Sequence, residues 1–432
     1  GHAQIPTEGP LSIAAPGAVD GWSELHKRYG SFDMERLAAD AVAFGREGFP
    51  VSQRLAKSIE ELSASPDIER NYAHHMARVA PGYRLTQKGL ADAIETFAKK
   101  GRDAFYNGAL ADRMLGALQS AGAILAPEDL QGKIAEWTDP LSTVYHGSTV
   151  YEQPPVSQGL MVLEMLNLIE GYPFERMSEA EKIHLMVEAK KLAFADRIKY
   201  LDDPRFGDPQ TARLISKAFA EERRRLISDR ARPVTRPAAP GGDTTYLCAA
   251  DRDGNVVSLI QSIFAVFGSR VVAGDTGIVM NNRLCSFGLD PAKANALKPG
   301  KRPAHTLNSY MVFHGDDFYA AGGTPGNDDQ PQCNVQILHR LLDLESDPQS
   351  AVEAPRWSHM PGTPPRDHLP EELRMEEGFP ADVRQALEAR GHKVIVVDRW
   401  SFGASQVIVR DPATDAWLGA ADPRRDGYAI GW

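Results

Sequence analysis

A short segment at residues 229–243, DRARPVTRPAAPGGD, separates two stretches of very different pattern. Its proline, glycine and charged residues predict an exposed loop, because they favour turns and interrupt both helices and strands. Directly after it, TTYLCAADRDGNVVS begins with two threonines and continues as a strand, a tight turn and a second strand. Such a chain is expected to fold as a helix-rich part and a strand-rich part that meet at residues 243 and 244.

The residues from about 20 to 235 carry a mostly helical pattern. Apolar side chains recur every three or four residues in LTQKGLADAIETFAKKGRDAFY and PPVSQGLMVLEMLNLIEGY, which predicts amphipathic helices. The stretch SEAEKIHLMVEAKKLAFADRIKYL opens with Ser178 and Glu181 in capping-box spacing, where the two side chains satisfy free amides of the first turn. We therefore expect long helices in this part of the chain.

After residue 243 the pattern changes to short strands. A β-hairpin is predicted where TTYLCAAD and NVVSLIQSIF flank the turn sequence RDGN. Further strands are predicted at GIVMNN, SYMVFHG, DFYAAGG, HKVIVVD, SQVIVRD and AWLGAAD, and helices at NVQILHRLLDL and PADVRQALEARG. The two halves together predict a protein of the α+β class.

The position of Thr244 suggests a specific chemistry. If the peptide bond before it is cut, Thr244 gains a free α-amine beside its own hydroxyl. An α-amine has a pKa of about 7.7–8.0, so it can take the hydroxyl proton near neutral pH. The threonine then acts as a nucleophile without a histidine, as in N-terminal nucleophile hydrolases. The plain alternative is that the two threonines only form cross-strand contacts in a sheet.

The wider sequence resembles the gamma-glutamyltransferase family. The similar motifs are LSIAAPGAVDGW, QPPVSQGL, HLMVEAKKLAFADRIKYLDDPRF, TTYLCAADRDGNVVS, FGSRVVAGDTGIVMNN, KPGKRPAHTL, GGTPGN and EAPRW, in the family's order. The resemblance implies a four-layer αββα sandwich of the N-terminal nucleophile hydrolase type. It also implies a proenzyme that cuts itself into two subunits, here residues 1–243 and 244–432. Family members carry a further segment ahead of PGAVDGW, and the sequence given begins just before that motif.

The resemblance assigns catalytic roles to individual residues. Thr244 matches the catalytic threonine, so the expected cut lies between Asp243 and Thr244. Ser262 takes the place of a threonine whose hydroxyl contacts the catalytic amine. Gly326 and Asn327, in TPGN, match a loop whose two backbone amides hold the oxyanion of the reaction. Asn327 departs from the family's glycine, so its backbone conformation decides whether the loop can keep that role.

The positions matched to substrate binding differ from those of the glutathione-cleaving members. Phe264 stands for an asparagine and Arg283 for a glutamine. Ser286 stands for an aspartate, and His305 and Thr306 replace a pair of serines. An arginine presents a planar fork of donors that suits a carboxylate, so the predicted substrate carries an acidic group. This pattern is more similar to the branch that contains oxamate amidohydrolase, while structural roles for the arginine and the histidine remain alternatives.

The predicted function is self-cleavage followed by attack on a small or acidic amide, with water or an amine as the acceptor of the acyl group. A true gamma-glutamyltransferase or glutathione hydrolase and a cephalosporin-acylase-like amidase are alternatives within the same mechanism. An inactive relative that never cuts itself and serves as a scaffold is the alternative outside it. Two cleaved subunits are expected to stay together, and a dimer of these pairs is left open.

Composition and spacing disfavour several other classes. A net charge of −10 without a clustered basic face argues against nucleic-acid binding. No apolar run approaches the ~20 residues needed to span a bilayer. His74 and His75 are adjacent and no HExxH spacing occurs, so no catalytic metal or other cofactor is expected. Three widely spaced cysteines form no CxxC pair, which together with the oxamate-like pattern favours a cytoplasmic over a periplasmic location.

Overall fold

The computed structural model describes residues 3–74, 79–132, 134–233, 243–361 and 370–432. Two features of the sequence analysis fall outside these ranges, namely His75 and residues 234–242 of the predicted loop. Among the described helices, none combines the length and the apolar character that crossing a bilayer requires.

Helices and strands alternate along the described chain, which confirms the α+β class. The helices are α1 (Ala18–Tyr29), α2 (Met34–Glu47), α3 (Gln53–Leu62), α4 (Pro66–Ile68), α5 (Lys88–Lys100), α6 (Arg102–Tyr106), α7 (Ala109–Ser120), α8 (Pro127–Leu130), α9 (Gly159–Ile169), α10 (Glu179–Tyr200), α11 (Thr211–Leu214), α12 (Lys217–Arg224), α13 (Asp329–Leu342), α14 (Pro348–Glu353) and α15 (Ala381–Ala389). The strands are β1 (Phe49–Pro50), β2 (Arg84–Leu85), β3 (Leu141–Tyr145), β4 (Ser148–Glu152), β5 (Asp243–Ala250), β6 (Val256–Phe264), β7 (Ser309–His314), β8 (Asp317–Gly323), β9 (Trp357–Met360), β10 (Glu372–Glu376), β11 (Val394–Val397), β12 (Gln406–Arg410) and β13 (Trp417–Ala421).

The chain divides into two compact units that each combine distant segments. The first unit is Gly1–Thr138 with Ile263–Cys285, and the second is Asp139–Ser262 with Ser286–Trp432. These units do not follow the division at residues 243 and 244. That division is a prediction about where the backbone is cut, and a compact unit can contain residues from both sides of a cut.

Helices dominate the first unit. The helices α2 and α5 pack closely because Gly45 faces Ala91, and a Cβ atom on Gly45 would lie only 2.9 Å from the Ala91 methyl group. Tyr106, Met114 and Leu118 are fully buried in an apolar cluster with side chains from the segment after residue 263.

The second unit is built on an antiparallel sheet of six strands, in the order β13-β12-β8-β7-β4-β3. The helices α9 and α13 pack on this sheet, and every residue of α9 is buried, as expected for a helix that is apolar on most sides. The hairpin β5-β6 forms a separate two-stranded sheet, and β5 contacts β8 and β12. The second unit therefore supplies a helix layer and two stacked sheets.

One edge of the six-stranded sheet is a hairpin that lies within the part of the chain predicted to be mostly helical. Strands β3 and β4 pair antiparallel across His146 and Gly147, which adopt φ values of 45° and 84°. Positive φ at both central residues is typical of a two-residue hairpin turn. Strand β4 then pairs with β7, so one sheet contains strands from both sides of the predicted cut. Backbone hydrogen bonds would hold the two fragments together after cleavage.

Local predictions from the sequence have mixed outcomes. The capping box of α10 is confirmed, because Ser178 Oγ accepts from the Glu181 amide at 3.4 Å and Glu181 Oε2 accepts from the Ser178 amide at 2.9 Å. The hairpin around RDGN is also confirmed. The strand predicted at GIVMNN is wrong, since this segment contributes only an isolated bridge between Val272 and Val279. Its asparagines bind neighbouring loops instead, as when Asn281 Oδ1 accepts from the Ala14 amide at 3.2 Å.

Candidate active site

Two hydroxyl groups meet at the start of the β5-β6 hairpin. Thr244 is the second residue of β5, and its half-buried side chain donates from Oγ1 to Oγ of Ser262 on β6 at 3.1 Å. The next residue, Thr245, is exposed and Tyr246 is buried, as the alternation of side chains along a strand requires. The structure thus brings together the residues that the sequence assigned to the nucleophile and to its activation.

Tyr246 fixes the position of β5 over the six-stranded sheet. Its ring packs on the backbone of β8 at Gly323, where an added Cβ atom would lie 2.6 Å from the ring. Its hydroxyl oxygen lies 2.9 Å from Oγ of Ser258 on β6, and burial raises the pKa of this phenol well above its usual value. A neutral, anchored tyrosine two residues after Thr244 keeps the start of the strand in register with the end of β8.

The TPGN loop begins where β8 ends and leads into α13. Gly326 has a φ of 131°, which side chains rarely permit, and Asn327 has a φ of 61° in the left-handed region. Asparagine is one of the few residues with a side chain that visits this region routinely. Replacing the family's glycine by Asn327 is therefore compatible with the loop conformation. The positive end of the α13 dipole also favours negative charge at this point.

Gln158 links the TPGN loop to the loop that carries Thr306. This buried amide donates from Nε2 to the carbonyl oxygens of Thr306 at 2.6 Å and Asn327 at 2.9 Å. Its Oε1 accepts from Arg197, whose Nη1 also donates to Asp328 Oδ1 at 2.7 Å. One side chain thereby sets the spacing between a predicted oxyanion loop and a predicted substrate loop.

His305 is held by its backbone to the segment that contains Gln158. Its amide donates to the carbonyl oxygen of Val156 at 3.0 Å, and its carbonyl oxygen accepts from the Gln158 amide at 3.1 Å. Gln158 and Arg197 lie in the motifs QPPVSQGL and HLMVEAKKLAFADRIKYLDDPRF, but the sequence alone predicted no role for either residue. Their roles could have been predicted from one feature. A glutamine or an arginine within an apolar helical motif is expected to be buried, and a buried polar side chain needs hydrogen-bond partners.

Arg283 and Phe264 contact each other within the first unit. Arg283 is 9% exposed, and its guanidinium carbon lies 4.3 Å from the centre of the Phe264 ring, which is a cation–π contact. Phe264 is the last residue of β6, the strand that carries Ser262, and it has a φ of 82°. A bulky residue at positive φ is strained, and such strain clusters at functional sites.

Thiol chemistry is disfavoured at this site. Burial raises the pKa of Cys248 to about 11 and that of Cys333 to about 12. Because the thiolate is the reactive form, both groups are poor nucleophiles at neutral pH. Cys248, four residues after Thr244 on β5, therefore does not compete with the hydroxyl.

Comparison with known proteins identifies the fold and the family. The sequence profile of the gamma-glutamyltranspeptidase family matches residues 1–432. The chain belongs to the gamma-glutamyltranspeptidase family. The four-layer αββα fold expected for this family is confirmed by its similarity to the crystal structure of a cephalosporin acylase from Bacillus halodurans. The two are 36% identical with a TM-score of 0.91, over 100% of this chain and 81% of that one.

Curated relatives of this gamma-glutamyltranspeptidase-family chain bear several different names. It is 38% identical over 440 residues to the glutathione hydrolase-like YwrD proenzyme of Bacillus subtilis, covering 100% of this chain and 83% of the relative. It is 32% identical over 445 residues to the oxamate amidohydrolase proenzyme of Klebsiella pneumoniae, with the same coverage of 100% and 83%. The chain is thus an amide-cleaving enzyme of the N-terminal nucleophile class, and the relatives' names do not single out one substrate.

Proposed function

We propose that this enzyme cuts itself before Thr244 and then hydrolyses a small amide that carries an acidic group. The observation that carries the proposal is the 3.1 Å hydrogen bond between Thr244 Oγ1 and Ser262 Oγ at the start of β5. Scission of the Asp243–Thr244 bond frees an α-amine on the residue that already presents its hydroxyl. Ser262 then lies within reach to orient that hydroxyl or the new amine.

The reaction follows from these groups in two stages. The α-amine takes the proton of Thr244 Oγ as the oxygen attacks the substrate's amide carbon. Negative charge develops on the carbonyl oxygen, where the backbone amides of Gly326 and Asn327 stabilise it. The proton passes to the leaving amine, and the acyl group stays on Thr244 as an ester. Water, or an amine in transfer, then attacks this ester and restores the hydroxyl.

An acidic substrate group is favoured by Arg283. A guanidinium gives a carboxylate two parallel, charge-assisted hydrogen bonds, and its contact with the Phe264 ring keeps its plane fixed. Phe264 also supplies apolar surface, which supports a second candidate, an acylase that accepts a bulkier acyl group. A substrate with a free α-amine is disfavoured, because Ser286 offers no carboxylate to an ammonium group.

The proposal is tested on the purified chain in two steps. Denaturing electrophoresis and mass spectrometry should find two fragments of about 27 and 21 kDa, in proportion to the chain's 47.3 kDa. The processed protein is then offered oxamate, glutathione and a glutaryl amide at equal concentration. Turnover of oxamate or of the glutaryl amide supports an acidic acyl group without an α-amine, and exclusive turnover of glutathione, whose γ-glutamyl group carries a free α-amine, contradicts the substrate class. A single uncut and inactive band contradicts the whole proposal.

Arg283→Gln should weaken the reaction with anionic amides far more than with neutral ones. Hydrogen bonds to a charged group are worth about 1.5–3 kcal/mol, so kcat/KM for an anionic amide should fall about 10- to 100-fold. The measurement is kcat/KM for a matched pair of anionic and neutral amides. Arg252→Gln, the same substitution in the exposed hairpin turn, is the control and should change neither value. Equal losses for the two amides would show that Arg283 has only a structural role.

Ser262→Ala should slow both self-cleavage and turnover. One hydrogen bond of about 1–1.5 kcal/mol corresponds to a loss of about five- to tenfold in rate. Ser262→Thr keeps the hydroxyl and should recover most of the rate. Val257→Ala, at an exposed position of the same strand, serves as the control and should change the rate little. An unchanged processing half-time in Ser262→Ala would remove Ser262 from the mechanism.

A further inference from the structure

Three buried side chains that can ligate a metal meet where α10 approaches the segment before β11. His184 and Glu188 lie one helical turn apart on α10, and one ligand atom from each lies within 4.8 Å of the others and of a ring nitrogen of His392. Nδ1 of His184 is 2.8 Å from Nε2 of His392. The three residues are 1%, 1% and 6% exposed. None of them takes part in the proposed reaction.

Neighbouring groups orient these side chains as the outer partners of a metal site do. Nε2 of His184 donates to the carbonyl oxygen of Ser228 at 2.7 Å, which leaves the lone pair of Nδ1 directed at His392. Oε1 of Glu188 accepts from Lys191 Nζ at 2.8 Å and from the Arg232 amide at 3.3 Å. Metal-binding histidines almost always donate their second ring N–H to such an oxygen, and ligating carboxylates are likewise hydrogen-bonded.

The charges around the cluster favour an added cation. In the hydrogen bond between the two rings His184 Nδ1 is the acceptor, which only a neutral imidazole can be. Neutral imidazole is the form that binds metals. Lys191 is shared between two carboxylates, Glu188 and Glu371 at 3.0 Å, so the cluster keeps one net negative charge. The nearby guanidinium of Arg390 is paired with Glu181 at 3.2 Å.

We propose that His184 Nδ1, His392 Nε2 and the Glu188 carboxylate form a zinc site, with water as the fourth ligand. Zinc binds histidine nitrogen at about 2.0–2.1 Å and carboxylate oxygen at about 2.0–2.2 Å in a tetrahedron, so neighbouring ligand atoms lie about 3.3–3.5 Å apart. The two ring nitrogens need to separate by about 0.5 Å for this geometry. When zinc binds, the ring proton of His392 lies on Nδ1 instead of Nε2, so both rings stay neutral and no proton needs to leave the cluster.

The site would join the two parts of the chain. His184 and Glu188 precede the predicted cut, whereas His392 follows it. Ser228 and Arg232, which contact the ligands, lie just before the segment that leads to Thr244. Zinc would therefore have ligands from both fragments and would stabilise their association after cleavage. This consequence rests on the proposed function, but zinc binding itself does not, because the uncut chain contains the same three ligands.

The test measures zinc on the full chain, prepared without a histidine tag, stripped with a chelator and then titrated. We expect about one zinc ion per chain, a higher melting temperature with zinc, and visible absorption bands of tetrahedral cobalt(II) when cobalt replaces zinc. His392→Gln should weaken binding by at least about 100-fold, more than the 10- to 100-fold typical of losing an outer partner. His314→Gln, at an exposed histidine, is the control and should bind as the wild type does.

Two outcomes would overturn the site. Zinc that stays far below one equivalent would mean that His184 and His392 form only a hydrogen bond. Stoichiometric zinc with equal affinity in His392→Gln would place the ion elsewhere. If His392→Gln does not fold, the cobalt spectrum of the wild type decides alone, since bands of octahedral cobalt would also exclude the site. Thr244→Ala is included as an uncut chain and should bind zinc normally, so that failure of cleavage is seen separately.

Discussion

Thr244→Ala should leave the chain in one piece and without measurable turnover. The substitution removes the oxygen that attacks the preceding peptide bond, so the α-amine is never released. It also removes the oxygen that attacks the substrate. Loss of the nucleophile of a serine hydrolase lowers kcat by about 10⁶-fold, and a loss of at least about 10⁴-fold is expected here. Mass spectrometry of the purified variant and an amide assay at matched concentration measure the two effects.

Two neighbouring substitutions give this prediction its controls. Thr245→Ala changes the next residue of β5, whose side chain is exposed, and should leave both cleavage and turnover near the wild-type level. Thr244→Ser keeps a hydroxyl in the same place and should retain slower cleavage. Fragments of the expected size in Thr244→Ala would remove Thr244 as the nucleophile. Active wild-type protein in which residues 243 and 244 are still joined would contradict the mechanism itself.

The hairpin that carries Thr244 could be predicted from the sequence because its signals are local. The aspartate directly before the turn RDGN binds that turn through its carboxylate, since Asp251 Oδ1 accepts from the amides of Asp253 and Asn255 at 2.9 Å. Gly254 then supplies the positive φ of 83°. Capping of α10 is local in the same sense, because Ser178 and Glu181 are only three residues apart.

The contacts that align the site with its neighbours could not be predicted in this way. Gln158 reaches carbonyl oxygens at Thr306 and Asn327, 148 and 169 residues later in the chain. No periodicity relates such positions, and only the folded sheet brings them together. The β3-β4 hairpin was missed for a related reason: it is short, and long helical patterns surround it. Its alternating apolar residues and the His146-Gly147 turn were visible but weak signals.

Four buried charged side chains are connected to the TPGN loop by hydrogen bonds. They are Arg356, Glu376, Asp422 and Arg424. Asp422 accepts from Arg356 Nη2 at 2.5 Å and from Arg424 Nη1 at 3.0 Å, and Arg424 Nε donates to Glu376 at 2.9 Å. All four side chains are almost completely buried. Two positive and two negative charges balance, which is the condition under which charges can remain in a protein interior.

This charged group reaches the TPGN loop through one short segment. Asp422 Oδ2 accepts from the Ser405 amide at 2.8 Å, and Arg356 Nη1 donates to the carbonyl oxygen of Phe402 at 2.9 Å. The Ala404 amide, between these two residues, donates to Oγ1 of Thr324 at 2.8 Å. Thr324 is the first residue of TPGN. A displacement of residues 402–405 would therefore move the loop assigned to the oxyanion.

Asp422→Asn should destabilise the fold strongly. It leaves two arginines with a single carboxylate, and removing one partner of a buried charge pair is destabilising by about 3–5 kcal/mol. The midpoint of urea unfolding, compared at unchanged slope, measures the effect. Asp415→Asn, which breaks the ion pair with Arg410 at the surface, is the control and should shift the midpoint little, because exposed ion pairs are screened by water.

The same variant separates support of the fold from support of the site. If the four charges position the TPGN loop, the Asp422→Asn protein that remains folded at low temperature should show a reduced kcat with little change in KM. An oxyanion binds only in the transition state, so a displaced loop affects kcat first. A midpoint shift no larger than that of Asp415→Asn would mean that water or a neighbouring group compensates the uncovered arginine. A large midpoint shift with unchanged kcat would limit the four charges to a role in folding.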